Sequence, residues 1–461
     1  MVMSATAALD VAKGLIGESQ AARRELDEVD RFLAFDNPVD VVARKAHVSP
    51  NHEKNALARF SHTPLLQLVV SEVAQQMVLE GIDAGADDVS AAMWRPFEVN
   101  GLVSRQYALW HATVGYGEAH VMVLPGDTVY PGEPGRAKAW MSAFSPRALF
   151  ASWNDPVEDA FPAFALRTIG QPGKKSVYRL YDDEAVYFLA QDDTAKSGLS
   201  FIQAREHNMG VCPVVSFQND MDLEGRRPGD VEKFKIPAQR HDKTVYDRML
   251  AQHYNSWKVR TATGLEAPNS DEDAAAQKFK LAHDDILTGE GDVKFGTLAE
   301  TQLTGFIQAA DADRDMLAAV SQTPVWALNG GQLVNLSADA LVEARSMQRL
   351  KVGQKQRANG RSIAKAARLA SFAEGRYEDA ENFNVTARWA DVESRSLAQV
   401  ADALGKIVTM LGVPPALVLD MIPGVTPAKA EEWREFMRAN PSETERLSAT
   451  LNRQLTYGTN V

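Results

Sequence analysis

The sequence has very little cysteine: Cys212, in the apolar stretch GVCPVV, is the single one among 461 residues. A disulfide framework is therefore excluded, and a reducing compartment is the expected setting. The apolar neighbours of Cys212 predict a buried structural thiol rather than a nucleophile. The chain also lacks an uninterrupted run of about 18 apolar residues, so no membrane-spanning helix is predicted.

Basic residues are also fewer than acidic ones: the chain has 49 Lys and Arg residues and 61 Asp and Glu residues, which gives a net charge of -12. This balance argues against a protein that coats nucleic acid, since affinity for phosphates comes from accumulated Lys and Arg. It leaves open a protein that lets nucleic acid pass. The first 33 residues mix acids with apolar residues and lack a basic start, which predicts a helix rather than a signal peptide.

Motifs for catalysis are missing as well, since no G-x-G-x-x-G, G-x-S-x-G or H-E-x-x-H occurs. The nearest approach to a phosphate loop is TIGQPGKKS, in which Thr168 replaces the first glycine and Lys175 replaces the magnesium-binding hydroxyl. It lies between two predicted strands, which indicates a surface hairpin. The nine histidines are scattered and no second cysteine completes a zinc site. Neither a metal nor a cofactor is predicted.

The periodicity of apolar residues predicts an α+β fold. Residues 1–85 are mainly helical, most clearly in TPLLQLVVSEVAQQMVLEGI, with Thr63 and Pro64 at the start and Gly81 near the end. Residues 93–124 predict a helix broken at Gly115 and Gly117 and then a strand, AHVMVL. Between residues 140 and 218, PAFALRTIG and KSVYRLYDD predict a hairpin, and AVYFLA and PVVSFQN predict further strands.

Two long helices with a compact, acidic excursion between them come next. The first is predicted from Gln239 to Thr261, with Pro237 in its first turn and Gly264 after its end. The second runs from Leu303 to Gln322. The stretch VWALNGGQLVN follows directly and interrupts the helical pattern, before Ser337 caps another predicted helix.

That helix carries a run of eight Lys and Arg residues from Arg345 to Arg368 without a single acid, an inversion in an acidic chain. Two interpretations stay open: the run pairs with acids of a neighbouring surface, or it contacts DNA phosphates. Gly353 and Gly360 predict a bend or break within it. FNVTARWAD then predicts a strand that returns to the earlier sheet, and the last 65 or so residues predict two or three helices around a Gly-Val-Pro-Pro turn.

The order of these parts, with the phrases GVCPVVSFQND, KVRTATG and SQTPVWALNGG, resembles the portal proteins of long-tailed bacteriophages. The resemblance implies a wing over residues 1–230, with 371–395 returning to it, and a stem made of helices 231–261 and 301–323. It further implies a clip at 262–300, a tunnel loop at 324–338, a long wing helix at 339–370 and a helical crown at 396–461.

The resemblance also implies where DNA passes. In the tunnel loop, Gly330 and Gly331 would let the chain change shape, and polar groups would touch the duplex without strong charge. The DNA-facing set is Leu328, Asn329, Gly330, Gly331, Gln332 and Asn335. A second set at the beginning of the basic run is expected to meet a neighbouring subunit or DNA: Arg345, Arg349, Lys351 and Lys355.

The function implied is a structural one without a catalytic centre: a ring of twelve copies at one capsid vertex, through which double-stranded DNA enters and leaves. Its implied partners are terminase, the major capsid and scaffold proteins and the head-completion or adaptor proteins, with no membrane. Its implied places are the virion and, during assembly, the host cytoplasm. Two alternatives are a DNA-processing enzyme, such as a packaging ATPase or nuclease, and a minor capsid or adaptor protein without a channel.

Overall fold

The chain is described from a computed structural model that covers residues 2–34, 52–129, 137–170, 175–195, 197–256, 260–263, 294–297, 302–329, 345–390, 397–422, 425 and 427–440. It divides into two compact units, Met1–Ala390 and Asp391–Val461. Helices and antiparallel sheets together build the first unit, which confirms the predicted α+β class. Among the helices in these ranges, none is both long and apolar enough to cross a bilayer.

The first unit begins with helices α1 (Ala5–Leu33), α2 (His52–Ser61) and α3 (Leu65–Ala74). α1 confirms the predicted amino-terminal helix. The prediction for α3 was wrong at its end, because Leu79–Asp83 forms a strand, β1, and Gly81 lies within it. β1 owes its conformation to a partner strand some 300 residues later in the chain, which a local pattern cannot reveal.

The helix predicted after residue 93 is in fact divided into α4 (Asp87–Val99) and α5 (Leu102–Tyr116). The division falls at Gly101, whose φ of 68° lies in the left-handed region that favours glycine. Gly115 does not break the helix, whereas Gly117, with φ 101°, ends it. The predicted strand AHVMVL is confirmed as β2 (Glu118–Pro125), which a short helix, α6 (Gly126–Val129), follows.

Two antiparallel sheets form the middle of this unit. The strands that follow α6 are β3 (Ala139–Phe144), β4 (Leu149–Ser152), β5 (Phe164–Ile169), β6 (Val177–Tyr181), β7 (Ala185–Gln191), β8 (Leu199–Glu206) and β9 (Val214–Gln218). One sheet has the order β3-β2-β9, and the other runs from β4 to β8 in sequence order. The predicted hairpin is confirmed, because β5 pairs with β6.

The five-stranded sheet buries both of its faces, as the alternation of side chains along β6 illustrates. Leu180 faces the core that α1 covers, together with Ala12. Its neighbour Tyr181 faces the core shared with the three-stranded sheet, together with Met122 and Cys212. Burial raises the pKa of the Cys212 thiol, and the Sγ atom lies 3.8 Å from the Tyr181 carbonyl oxygen. The thiol is a structural one, as predicted.

Two long helices follow the sheets: α7 (Asp230–Ser256) and, after the paired strands β10 (Arg260–Thr263) and β11 (Lys294–Thr297), α8 (Thr304–Ser321). α8 confirms the second predicted helix. α7 begins earlier and ends earlier than predicted, so Pro237 lies inside it rather than in its first turn. The two helices pack together, and Asp313 of α8 receives a hydrogen bond from Thr244 Oγ1 at 2.7 Å and an ion pair from Arg240 at 2.6 Å.

The helix α9 (Val325–Asn329) follows α8, and the basic run lies on α10 (Ser346–Ala373), which Gly353 and Gly360 do not break. A Cβ at Gly360 would lie 3.7 Å from the Cβ atom of Ala387, which shows that α10 packs closely against β12 (Thr386–Trp389) at this glycine. The short α11 (Tyr377–Ala380) joins α10 to β12. β12 pairs with β1 and not with the earlier sheets, so this part of the prediction was wrong.

The described residues of the second unit are mainly helical, which agrees with the prediction for this part of the chain. The unit contains α12 (Leu397–Leu411), two 3-10 turns, Pro415–Leu417 and Leu419–Met421, and α13 (Pro427–Ala439). Gly412, with φ 67°, makes the turn after α12. Val400, Leu404 and Val418 form its small apolar core.

Candidate functional site

A buried ion cluster joins the first turn of α7 to α10. Asp230 Oδ2 lies 2.6 Å from Lys351 Nζ, and Asp230 Oδ1 lies 3.4 Å from Lys355 Nζ. Asn219, just beyond β9, donates from Nδ2 to Asp230 Oδ1 at 2.8 Å and accepts from Lys355 Nζ through Oδ1. Asp230, Asn219 and Lys355 are all buried. The cluster therefore joins three elements that are far apart in the sequence.

Charge balance in this cluster is uneven, because two ammonium groups share one carboxylate. Burial opposes ionisation of Asp230, but the charges of Lys351 and Lys355 outweigh it and lower the pKa of the carboxyl to about 2. Burial lowers the pKa of Lys355, and Asp230 opposes this shift only in part. The position of Asp230 in the first turn of α7 adds to its stability as an anion, because the amino-terminal end of a helix carries partial positive charge.

Lys351 extends the cluster to the end of α8. Its Nζ atom donates to the Ser321 carbonyl oxygen at 2.9 Å and lies 5.3 Å from the centre of the Phe234 ring. A cation at the carboxyl end of a helix is favourable, since the last carbonyl groups have no partner within the helix. One side chain of α10 thus contacts the beginning of α7 and the end of α8.

The chain turns sharply between α8 and α9. Gln322 has a left-handed φ of 55° and ends α8, and Ser321 Oγ donates to Thr323 Oγ1 at 3.0 Å. Asn329, the last residue of α9, donates from Nδ2 to Asp315 Oδ1 at 3.2 Å. α9 therefore lies against α8, and the contact with Asp315 fixes the position of Asn329 relative to α8.

The two described residues that were predicted to face DNA, Leu328 and Asn329, have different surroundings. Leu328 is buried, with 6% of its surface exposed, so its assignment as a DNA-facing side chain was wrong. Leu328 is the one buried residue of α9, and the turn residues that follow it gave no sign of this in the sequence. Asn329 contacts Asp315 of the same chain. The other four members of the set lie outside the described residues, as does the predicted cap Ser337: Gly330, Gly331, Gln332 and Asn335.

The four cations at the beginning of the basic run are also not equivalent. Arg345 is exposed just before α10, with its guanidinium 5.9 Å from the centre of the Trp326 ring. Arg349 lies in the first turn of α10. Lys351 and Lys355 instead pair with Asp230 of their own chain, an environment that differs from the exposed surface on which they were expected.

Sequence reasoning missed Asp230 and Asn219, although a signal for them exists. Lys355 lies on the apolar stripe of α10 that contains Val352 and Ile363, because helical residues three and four apart share a face. A lysine on a buried stripe needs an anion, since an unpaired buried charge is costly. The stripe therefore predicts a buried acid partner, but only the fold shows which of the 61 acids it is.

The described histidines have structural surroundings. Within the described ranges, no group of three or more His, Cys, Asp or Glu side chains is arranged to hold a metal ion. His120 is buried and its Nδ1 atom lies 2.9 Å from Ser216 Oγ, and burial lowers its pKa. His62 Nδ1 lies 2.7 Å from Asp242 Oδ2, in a pair that joins the turn before α3 to α7. Both histidines serve the core of the fold.

The chain was compared with known families and structures. The model of the family described as phage portal protein, SPP1 Gp6-like, matches residues 13–440. No curated protein sequence matches the chain. Similar solved structures are the neck of an empty GTA particle computed with C6 symmetry, at 14% identity and a TM-score of 0.41, and the neck of a native GTA particle computed with C12 symmetry, at 13% identity and a TM-score of 0.43.

The alignments to these two structures cover 82% of this chain and 94% and 93% of theirs. The family model covers both described units of the chain, including α7, α8, α9 and the basic helix α10. The chain therefore belongs to the family of phage portal proteins described as SPP1 Gp6-like.

Proposed function

We propose that twelve copies of this chain assemble into a ring at one vertex of a phage capsid and that double-stranded DNA enters and leaves through its central channel. The observation that carries this proposal is the family match over residues 13–440. A ring built from identical subunits uses one heterologous interface repeatedly until the rotation closes.

In this ring, α7 and α8 form the stem, and the paired strands β10 and β11 belong to the clip at residues 262–300. The contacts of Asp313 with Arg240 and Thr244 support the stem assignment, since they join the two helices at one point. Residues 1–230 with 371–395 form the wing, residues 339–370 its long helix, and residues 396–461 the crown.

Residues 324–338 form the tunnel loop beside the DNA. Two contacts support this assignment: the Lys351 cluster fixes the end of α8, and Asn329 ties the end of α9 to Asp315. A loop that touches a moving duplex needs fixed ends and a pliable middle, and Gly330 and Gly331 supply the second property. The DNA-facing residues are then Asn329, Gly330, Gly331, Gln332 and Asn335, without the buried Leu328.

The net charge of -12 per chain suits a channel that DNA must leave again. Acidic walls repel phosphates and prevent tight binding along the path. The implied partners are terminase, the major capsid and scaffold proteins and the head-completion or adaptor proteins. The protein acts in the virion and, during assembly, in the host cytoplasm. It has no catalytic centre, and a separate ATPase drives the DNA.

Electron microscopy of the purified full chain in negative stain, together with native mass spectrometry, tests this function. We expect rings with an axial hole and a mass that is a multiple of the subunit mass. ATPase and nuclease assays on the same sample should give no turnover above buffer. A protein that remains monomeric at every concentration, or one that cleaves DNA in a metal-dependent way, would contradict the proposal.

A further inference from the structure

A wide groove runs over the outward face of α10 and has a volume of about 1140 Å³. Apolar side chains form much of its surface, including Phe161, Phe372, Phe383 and Trp389. Phe383 has 78% of its surface exposed, and it lies next to the other apolar side chains of this groove. An exposed apolar groove of this size is typical of an interaction site.

Among the described residues that line this groove, the charged side chains all have one sign. Four of them are cations of α10 and none is a carboxylate: Arg357, Arg361, Lys365 and Arg368. Lys365 Nζ donates to the Ala160 carbonyl oxygen, and the Arg368 guanidinium lies 3.7 Å from the centre of the Phe383 ring. Within the described part of the chain, none of the four forms an ion pair with an acid. We call this set and its apolar lining the cationic groove.

The environment of Lys365 disfavours its positive charge. Burial, and after it the neighbouring charge of Arg361, lowers the pKa of Lys365. Half-buried cations held close together gain when an anion approaches, because opposite charges attract strongly where water is partly excluded. The apolar lining argues against DNA as the occupant, since phosphates bind to solvated cationic surfaces and gain nothing from Trp389 or Phe383. The fitting occupant is an acidic segment with apolar side chains.

The same chain carries a segment with this chemistry in the turn between β9 and α7. Leu223 has 96% of its surface exposed and Met221 has 42%, and Asp222 and Glu224 flank Leu223. We call residues 220–224 the acidic tip. Glu224 forms no ion pair with any residue that the structure describes.

The acidic tip is held in shape by its own backbone contacts. Asp222 Oδ1 accepts hydrogen bonds from the N–H groups of Glu224 at 3.0 Å and Arg226 at 2.9 Å. Gly225, with φ 81°, lies against Pro156, so the side chain of Pro156 packs against the turn. A preorganised turn loses little conformational entropy on binding. An almost fully exposed leucine on such a turn is typical of an anchor residue that a partner surface receives.

We propose that the cationic groove of one subunit receives the acidic tip of a second copy of this chain, so that Leu223 enters the apolar lining and Glu224 meets the guanidinium groups of α10. The contact is heterologous, because groove and tip are different surfaces, and such contacts generate rings. This inference rests on the proposed ring, and it assigns two surfaces of the subunit interface.

The test uses the purified full chain and two variants. The groove variant is Arg357→Glu with Arg361→Glu, and the tip variant is Leu223→Ser. Matched controls are Lys13→Glu with Arg24→Glu, two exposed cations of α1, and Met410→Ser, a 78% exposed side chain of the second unit. Mass photometry at a fixed concentration measures the fraction of chains in rings. We expect at least a tenfold loss in both variants and none in the controls.

Mixing the two variants gives the sharpest result. The groove variant keeps an intact tip and the tip variant keeps an intact groove, so a mixed pair has one intact contact and one that is doubly impaired. We expect heterodimers in the mixture and neither rings nor homodimers. Circular dichroism checks that both variants are folded, and Arg357→Gln with Arg361→Gln, a milder change, should give an intermediate loss of rings.

The outcomes separate this inference from the proposed function. Rings of either variant at the wild-type level overturn the pairing of groove and tip, while the ring itself stands. Normal rings of the groove variant with weaker retention of DNA would identify the groove as a DNA surface and also overturn it. A wild-type chain that forms no ring contradicts the proposed function.

Discussion

Asp230 Oδ2 lies 2.6 Å from Lys351 Nζ, and this contact ties the first turn of α7 to α10 between residues whose numbers differ by 121. The same lysine donates to the carbonyl oxygen of Ser321 at the end of α8. The beginning of one long helix and the end of the other are thus fixed to a third helix at one point. In the proposed ring this point lies where stem, wing helix and tunnel loop meet, so a displacement of the loop is resisted here.

Replacing Asp230 with Asn should destabilise the fold strongly. The change leaves Lys351 and Lys355 without an anion, and removing one partner of a buried ion pair costs about 3–5 kcal/mol. Urea denaturation followed by circular dichroism measures the loss. The control is Asp220→Asn, which breaks the partly exposed pair with Lys233 and should cost at most about 1 kcal/mol. Equal losses in the two variants would contradict the importance of the buried cluster.

Gly117 and Gly229 approach each other so closely that neither tolerates a side chain. A Cβ atom on Gly117 would overlap the Arg227 carbonyl oxygen and lie 2.8 Å from the Gly229 nitrogen. We therefore expect Gly117→Ala to displace the segment before α7 and to lower the free energy of unfolding by more than backbone strain alone. The control is Gly85→Ala, where φ is 94° but no atom lies within 4 Å, which should cost about 1–2 kcal/mol. Similar losses in both variants would contradict the steric explanation.

Elements that depend on local pattern were predictable from the sequence. α1, α8 and the β5–β6 hairpin follow from helical and strand periodicity, and part of the apolar face of α8, including Ala310 and Leu317, is buried. The α+β class was also correct. These predictions were correct because the periodicity of apolar residues within a segment indicates its secondary structure and the face that is buried.

Elements that depend on distant partners were not predictable. β1 was assigned to a helix because its partner, β12, comes some 300 residues later. Lys351 and Lys355 were assigned to a surface because their acid, Asp230, precedes them by more than 120 positions and looks like any other turn residue. Leu328 was placed in a loop because Asn329 and the following glycines are typical turn residues, whereas Val325–Asn329 forms a short helix. In each case a tertiary contact decides between states that the local sequence leaves close in free energy.

The pair of His62 and Asp242 should make stability depend on pH near neutrality. Burial alone lowers the pKa of His62, but the hydrogen bond and the charge of Asp242 outweigh it, so the pKa lies above 6.5. The folded chain then binds the proton more tightly than the unfolded chain. The stabilisation is fully present below pH 6.5 and is lost as the pH rises through the raised pKa of His62. Asp242 stays ionised over this window, because its own pKa is lowered: burial raises it, but hydrogen bonds from His241 and His62 prevail.

The variant His62→Gln isolates this effect. We expect the difference in free energy of unfolding between wild type and variant to be larger at pH 6 than at pH 9, by about 1 kcal/mol per unit of pKa difference between the folded and unfolded states. Urea denaturation at both pH values provides the measurement. His111 serves as the control, because burial lowers its pKa and no acid partner is involved. Its change to Gln should give a difference that does not decrease as the pH rises. A constant difference for His62→Gln would show that the pair is not charged.

Deletion of residues 331–334 tests the tunnel loop that the proposed function contains. The contact of Asn329 with Asp315 and the anchor at Ser321 both precede the deletion, so the subunit fold and the ring should persist. A shortened loop cannot follow the duplex, and we expect at least a tenfold fall in nuclease-protected DNA when the variant replaces the wild-type chain during infection. The length-preserving change Gln332→Ala with Asn335→Ala distinguishes the effect of the loop's length from the effect of its polar side chains. If it packages normally while the deletion fails, the length of the loop matters and its polar groups do not. Normal packaging by the deletion variant would remove residues 331–334 from the DNA path, and with them the reason for the interrupted helical pattern after α9.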